Sequence, residues 1–456
     1  VHRFSSHSLL SVWGGLLLLL VTACAPDINQ FHVRDLEKIP QDPHCFAISS
    51  QTPQPLLNVA LQLQHAEDYL QRCFEPWHSK GPLASTKHPF WAIDWLSENA
   101  LYGKNLLPLR EPQRQSITEQ TRPQTYPSLH QPAITLRRCS ARALPTDTPV
   151  FYNPRHPGQG FPFDQLQHAV LAANTPVLVT HCSADGAWLF VETAAVYGWV
   201  ETDAVAGMSD EQIREVEALP LVTVLRDDTG VFDAQNHWLL TARTGTLLPV
   251  LQSTAERTTV LIAVADAQRQ AVLRRATIDS AAVASFPLAF TADNMARIAA
   301  PMMGQPYDWG EQFGGRDCSA TLRDLFAPFG IWLPRNSSQQ AKVGDVIALA
   351  DLSPEQREQL ILEQGIPFAT LISLPGHIML YVGQHDGHAI VLHTLWGLKT
   401  TSLFGKEGRW LVGKTILTTL QPGLEQDGLW QSIGDLRSRI TQMNLPLCGA
   451  QSEEED

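Results

Sequence analysis

Beyond its first two dozen residues the chain has no apolar run of 18 residues, so nothing there is long enough to span a bilayer as a helix. Positive charge is in short supply: 33 Lys and Arg stand against 46 Asp and Glu, a formal net charge of −13. That balance excludes nucleic acid and anionic membrane as electrostatic partners. Cysteine is scarce, seven in 456 residues, and no Cys/His cluster has zinc spacing, so neither a metal nor another cofactor is expected. Charged residues make up 17% of the chain and hydrophobic ones 44%, enough apolar material to bury the cores of about three or four domains.

What is present begins with a leader. His2 and Arg3 precede an apolar run from Leu9 to Val21, which closes on Val21-Thr-Ala-Cys24. Residues 1–23 read as a secretory signal and Cys24 as a lipidation site. Several acyl chains anchor stably where one does not, so membrane contact is expected through a lipid anchor only. Ala25 follows the cysteine; by resemblance to Gram-negative lipoproteins this implies the periplasmic face of the outer membrane. Setting Cys24 and Cys318 aside leaves Cys45, Cys73, Cys139, Cys182 and Cys448. Cys139 and Cys182 can bridge two strands or stay as buried thiols; spacing does not decide.

The rest divides by composition. Residues 24–132 form a helix-rich segment, with apolar residues at helical spacing over 57–75, a break at Phe74-Glu-Pro-Trp-His78, and a polar linker from Arg110 to Gln131. Residues 133–208 hold short strands at Ile134, Pro149, Thr175, Trp188 and Tyr197, separated by turn signals such as Ser183-Ala-Asp-Gly186, which predicts a small barrel. Residues 209–288 repeat that pattern from Leu221 to Asp279 and predict a second barrel. Residues 289–425 form the last domain, and 426–456 read as a tail, ending in a solvated Glu-Glu-Glu-Asp.

Within that domain, Pro306-Tyr-Asp-Trp-Gly-Glu-Gln-Phe-Gly-Gly-Arg-Asp-Cys-Ser-Ala320 is a glycine-rich loop leading into a helical run with Leu322, Leu325 and Phe326. Cys318 at a helix N-terminus meets unpaired N–H groups and the positive end of the dipole, and both favour a thiolate nucleophile. Downstream, Leu374-Pro-Gly-His377-Ile-Met-Leu-Tyr-Val and Ala389-Ile-Val-Leu-His393 flank the turn Gln384-His-Asp-Gly387. A hairpin folded about residue 385 sets His377 directly opposite His393, with Ile378, Leu380 and Val382 facing a core. Thiol, imidazole and a second imidazole bracing the first make a papain-type arrangement. Trp396 and Trp410 read as core.

These elements resemble the NlpC-type papain-like cell-wall endopeptidases: Gly304-Gln-Pro-Tyr307-Asp-Trp309-Gly310, Asp317-Cys318-Ser319, Leu333-Pro-Arg-Asn-Ser337-Ser-Gln-Gln340 and Pro375-Gly-His377, in that order, with the His393 strand after them. The first barrel, with Ala184-Asp-Gly-Ala-Trp188 and Tyr197-Gly-Trp-Val200, resembles bacterial SH3-like domains. The N-terminal segment resembles the stabilising segment of multidomain members. Ala320 stands where the family has glycine. The resemblance implies an α+β multidomain chain whose papain-like domain sets a cysteine helix on a histidine-bearing antiparallel sheet, behind two SH3-like barrels. It implies Cys318, His377 and His393 as catalytic triad, and Tyr307 at the oxyanion or shaping the site. Trp309, Asp317, Ser319 and Ser337 would line the peptide's N-terminal side, with Tyr197 lent by the first barrel. The implied substrate is the peptidoglycan stem peptide, cut by a monomer between D-glutamate and the diamino acid, with Asp317 reading a free L-alanine ammonium. Another thiol amidase or acyltransferase, and a non-catalytic wall-binding lipoprotein, stay open as alternatives.

Overall fold

The computed structural model describes residues 33–47, 54–84, 89–429 and 431–447. The leader, Cys24, Cys448 and the acidic terminus lie outside the described residues. Seven helices of eight or more residues are described: α1 Val59–His78, α2 Trp91–Glu98, α3 Glu111–Thr121, α4 Asp210–Glu217, α5 Ala292–Ala299, α6 Cys318–Phe326 and α7 Pro354–Gln364. None of the described helices is long and apolar enough to cross a membrane.

Helix α1 ties the units together. Asn58 caps it by accepting from the Ala60 N–H at 2.9 Å. The predicted break at Phe74 does not occur: Pro76 sits in the last turn, where its missing N–H removes a single bond, and the Ser79 N–H closes the end on the Glu75 carbonyl at 3.0 Å. The buried stripe includes Gln62 and Ala66, while Leu63 faces solvent. The Gln62 amide donates to the Leu288 carbonyl at 2.7 Å and the Phe329 carbonyl at 3.0 Å, both on the C-terminal unit. At its other end Trp77 Nε1 donates to the Ala133 carbonyl of the first barrel at 2.7 Å. The segment read as a polar linker contains α3, closed by Arg122 at φ 45°.

Each barrel is a seven-stranded sheet of antiparallel pairs, the first between Gln131 and Gly207, the second between Leu221 and Ser285. Sequence patterning missed Cys139–Arg142, Gln167–Leu171, Val205–Gly207, Trp238–Ala242 and Val283–Ser285, which are short or poorly alternating. Pro149–Tyr152 forms no strand; Phe151 makes one isolated bridge, to Tyr102. Cys139 and Cys182 are both free thiols, on strands where they oppose Leu171 and Leu189.

The third sheet comprises β1 Asp345–Ala348, β2 Leu371–Leu374, β3 His377–His385, β4 His388–Ser402, β5 Glu407–Thr418, β6 Gln431–Ile433 and β7 Gln442–Leu445. Its order is β1-β7-β2-β3-β4-β5, with β6 alongside β4. One face of β3 and β4, Ile378, Leu380, Val382, Ile390 and Leu392, shares a core with Leu322, Leu325 and Phe326 of α6. The other face, Met379, Tyr381 and Val391, shares a second core with Ile361 of α7 and with Ile433, Leu436, Ile440 and Met443. Both faces are covered, which is why this hairpin reads as nearly unbroken apolar sequence. The predicted tail is therefore wrong over residues 431–447: β7 is an interior strand between β1 and β2.

A cavity of about 180 Å³ opens where the units meet, lined by Trp77, Asn174, Leu221, Arg243, Arg323 and Trp332 among others, away from Cys318. Met443 tests the C-terminal assignment. It is 1% exposed, so Met443→Ala is expected to cost about 2–4 kcal/mol in denaturant unfolding, where a change in a free tail would cost nothing.

Candidate active site

The loop from Gly304 to Asp317 folds back on itself. The Asp308 N–H donates to the Arg316 carbonyl at 2.8 Å, and the Asp308 carboxylate accepts from the Phe313 and Gly315 N–H groups at 2.5 and 3.1 Å. Gly310 has φ 62°, and a Cβ there would lie 2.5 Å from the Gln167 side chain of the first barrel. The bare backbone lets Gln167 Nε2 reach the Gly310 carbonyl at 2.9 Å.

Asp317 caps α6, and Cys318 is its first residue. Asp317 Oδ1 accepts from the Ala320 N–H at 2.9 Å, the Ser319 hydroxyl at 3.1 Å and Arg335 at 3.2 Å. Oδ2 accepts from Arg335 at 2.6 Å and the Gly310 N–H at 3.2 Å. This carboxylate is saturated by the protein and held below its ordinary range chiefly by Arg335, against its burial. Ser319 is likewise engaged, accepting from Arg335 at 2.9 Å. Ser337 opens the short helix Ser337–Gln340, whose Gln340 amide donates to the Ser319 carbonyl at 2.9 Å.

Cys318 packs against the core that holds Ile378, the residue after His377 on β3, and the Ile378 and Ser319 N–H groups act to lower its thiol. His377 Nε2 and His393 Nδ1 are 2.8 Å apart. The observed register pairs Leu380 with Leu392, with an irregularity between Tyr381 and Gly383, and the turn centres between His385 and His388. His377 and His393 are thus diagonal neighbours; the predicted direct pairing about residue 385 is off by two residues. Diagonal neighbours on one face remain within reach of long side chains.

The protonation pattern follows from the far end of the relay. The Thr418 hydroxyl donates to the Thr419 carbonyl at 2.7 Å, so it accepts from His393 Nε2 at 3.1 Å. With its proton on Nε2, His393 presents Nδ1 as an acceptor, and His377 must donate to it from Nε2. That leaves Nδ1 of His377 with a free lone pair. Thr321 ties α6 to the sheet through Thr394 at 2.5 Å, and Thr394 contacts Thr415 at 2.8 Å.

The helix N-terminus does not by itself ionise the thiol. Burial, reinforced by the Asp317 charge, pushes Cys318 up to about 12, and the N–H donors and Arg335 only partly oppose it. Burial and the Arg439 guanidinium push His377 down to about 4. Burial and the neighbouring His377 hold His393 well below its usual range. Both shifts favour the uncharged forms, thiol and imidazole. Tyr307, raised by burial and by Cys318 and Asp317, stays a neutral phenol able to donate.

The aromatic lent by the first barrel is Phe163, not Tyr197. Phe163 packs against Trp396 at 4.8 Å, Trp309 at 5.3 Å and Tyr307 at 6.3 Å between ring centres. Trp309 Nε1 donates to the Asp164 carbonyl at 2.9 Å. Tyr197 instead joins the barrel's own cluster with Phe90, Phe190 and Trp199. Trp410 is half-buried against the second core, as expected, whereas Trp396 faces the barrel loop. Sequence reasoning passed over Phe163, although Gly160-Phe-Pro-Phe163 is an aromatic-bearing turn signal in a long loop.

The second barrel meets the site through charge. Arg316 forms a two-pronged pair with Asp227 at 2.6 Å and reaches Asp324 at 2.8 Å. Arg243 lies 3.2 Å from Glu311 and 3.0 Å from Asp324, and Arg323 bridges the same two carboxylates at 2.8 and 2.7 Å. Glu311 is fully buried and lies 3.4 Å from Arg335, so the network ends on the group that holds Asp317. Among the described residues no cluster of His, Cys, Asp and Glu could hold a metal ion.

A thiol opening a helix, facing a paired imidazole relay on an antiparallel sheet, defines a papain-like α+β domain. Family models match the NLPC_P60 N-terminal stabilising domain over residues 13–126, an SH3 domain of SH3b1 type over 149–201, an SH3 domain of SH3b2 type over 209–255 and the NlpC/P60 family over 304–405. The chain belongs to the NlpC/P60 family, in its form with a stabilising segment and two SH3b barrels. A solved NlpC/P60 endopeptidase from Photobacterium damselae subsp. piscicida superposes with a TM-score of 0.81 at 26% identity, covering 90% of this chain and 98% of that one. The chain is 30% identical over 121 residues to a probable endopeptidase of Corynebacterium glutamicum, and 32% identical over 94 residues to a gamma-D-glutamyl-L-lysine dipeptidyl-peptidase of Bacillus subtilis. Those matches span 26% and 20% of this chain and 51% and 30% of the relatives.

Two outcomes test the relay. Thr418→Val keeps the shape but removes the acceptor behind His393; kcat is expected to fall roughly tenfold with KM little changed. Because the active form carries neutral His377, activity should persist as pH falls through 6 and be lost only near about 4; a pH profile of kcat/KM with its acid midpoint at the free-imidazole value of about 6.5 contradicts the assignment.

Proposed function

We propose that the chain is a cysteine endopeptidase that hydrolyses the amide between the γ-carboxyl of D-glutamate and the diamino acid of peptidoglycan stem peptides. The observation that carries this is the Thr418–His393–His377 relay, which leaves His377 Nδ1 unprotonated at the start of the strand that Cys318 packs against. His377 Nδ1 takes the thiol proton as Sγ attacks the carbonyl carbon. Both partners start neutral, so charge appears only as the bond forms. The oxyanion is met by the Cys318 N–H, one of the unpaired donors at the start of α6, and by the Tyr307 phenol. His377 then returns the proton to the departing amine, leaving a thioester that water hydrolyses. His393 stabilises the transient imidazolium by accepting from its Nε2–H.

The bond assignment draws support from the name of the Bacillus subtilis relative. A preference for a free N-terminal L-alanine draws on the wall that Phe163 and Trp309 raise beside the thiol, since a stem still joined to glycan must pass it. The buried Asp317 carboxylate next to Cys318 belongs to the same reading, as the group that meets the L-alanine ammonium. Lipid attachment at Cys24, at the periplasmic face of the outer membrane, belongs to the same reading and accords with a cell-wall substrate.

The test is digestion of L-Ala-γ-D-Glu-diamino acid tripeptides with products weighed by mass spectrometry. Release of L-Ala-γ-D-Glu and the free diamino acid is expected. Cys318→Ala should reduce turnover to background while the thermal midpoint stays within a few degrees; residual turnover above background removes the thiol mechanism.

A further inference from the structure

The segment beyond the matched catalytic region brings a cation to the site. Arg439 closes the short turn Arg437–Arg439 between β6 and β7. That turn is anchored: Leu436 and Ile440 are buried in the second core. Arg437 is bound to Glu358 at 2.9 Å and Glu355 at 3.1 Å, and the Ser438 carbonyl accepts from Arg357 at 2.5 Å. Arg439 differs. It is exposed, its guanidinium donates to the Pro375 carbonyl at 3.3 Å, and no carboxylate of the described residues forms an ion pair with it. Pro375 and Gly376, the latter at φ 79°, are the turn that delivers His377.

A fixed cation beside a base that must itself become a cation opposes the reaction. Its charge already acts on His377 in the free protein. The opposition disappears if an anionic group of the substrate covers Arg439 when the peptide binds. His377 hands its proton to the leaving amine, so the space beyond His377 belongs to the released amino acid. The α-carboxylate of that residue is two bonds from the departing nitrogen.

We propose that Arg439 binds the free α-carboxylate of the amino acid released, so that the protein selects peptides ending one residue after the scissile bond. This rests on the function proposed above. Pairing between the guanidinium and carboxylate also lifts the charge opposing protonation of His377, so recognition and proton transfer are coupled through one side chain. Peptides continuing past that residue, or amidated there, leave the cation uncovered.

The experiment uses the full chain and four tripeptides: L-Ala-γ-D-Glu followed by lysine or by diaminopimelate, each with the α-carboxylate free or as carboxamide. Wild type is expected to lose about tenfold in kcat/KM on α-amidation, with either third residue. Arg439→Gln should bring the acid-to-amide ratio close to one, and Arg439→Lys should recover part of it. The acid limb of the pH profile should move toward that of free imidazole in Arg439→Gln, a shift that a purely structural role would not produce. Equal loss on acid and amide in Arg439→Gln overturns the inference, as does indifference of wild type to α-amidation. Discrimination that follows only the side-chain carboxylate of diaminopimelate overturns the α-carboxylate assignment. Wild type inert on all four peptides, while it still releases other amides, refutes the proposed bond itself.

Discussion

A carboxylate buried at the first turn of a helix governs this site. Asp317 accepts from the Ala320 amide of α6, fixes the loop through Gly310 and takes Arg335 as its counter-ion. Each of those ties orients the residue that follows it, Cys318. Taking such a carboxylate out of water is costly, and a single lost partner would leave an uncompensated buried charge. The arrangement survives because every lone pair is used and because Arg335 is itself steadied by Glu311.

From that pair the remaining units acquire their roles. Glu311 and Asp324 collect guanidinium groups from the loop, from α6 and from the second barrel. The second barrel therefore serves as a counter-ion source for the helix that bears the nucleophile. The first barrel contributes shape: Gln167 reaches the loop backbone and Phe163 stands among three aromatic rings of the C-terminal unit. Helix α1 fastens both ends with buried amide and indole hydrogen bonds. The thiol and the imidazoles belong to one domain, but the surroundings that set their charge and access belong to three.

Local chemistry was legible in the sequence wherever it depended on neighbours along the chain. The helix start at Cys318, the glycine-rich loop before it and the apolar face of β3 all follow from composition over a few residues. The two histidines were correctly brought together despite a wrong register, because the displaced turn and the one-residue slip near Gly383 leave a net offset of two, which keeps both rings on one face. What stayed hidden depended on contacts distant in sequence. Phe163 lies in a loop with no periodicity, and Thr418 is 25 residues from the histidine it orients. Leu436, Ile440 and Met443 lack the length of a convincing strand, although they complete a core. The thiol's ionisation could not be judged from its helix position, since burial outweighs the backbone N–H donors there.

The Phe163 ring that packs on Tyr307, Trp309 and Trp396 is carried by a connection between two strands of a separate barrel, running from Arg142 to Gln167. Insertions or deletions in that connection alter the depth and width of the entrance without disturbing a single strand of the sheet that carries the histidines. Selectivity in such a chain can therefore drift by changes in loop length in one unit while the bond-breaking apparatus in another stays constant, which separates what the molecule can cut from what it can admit.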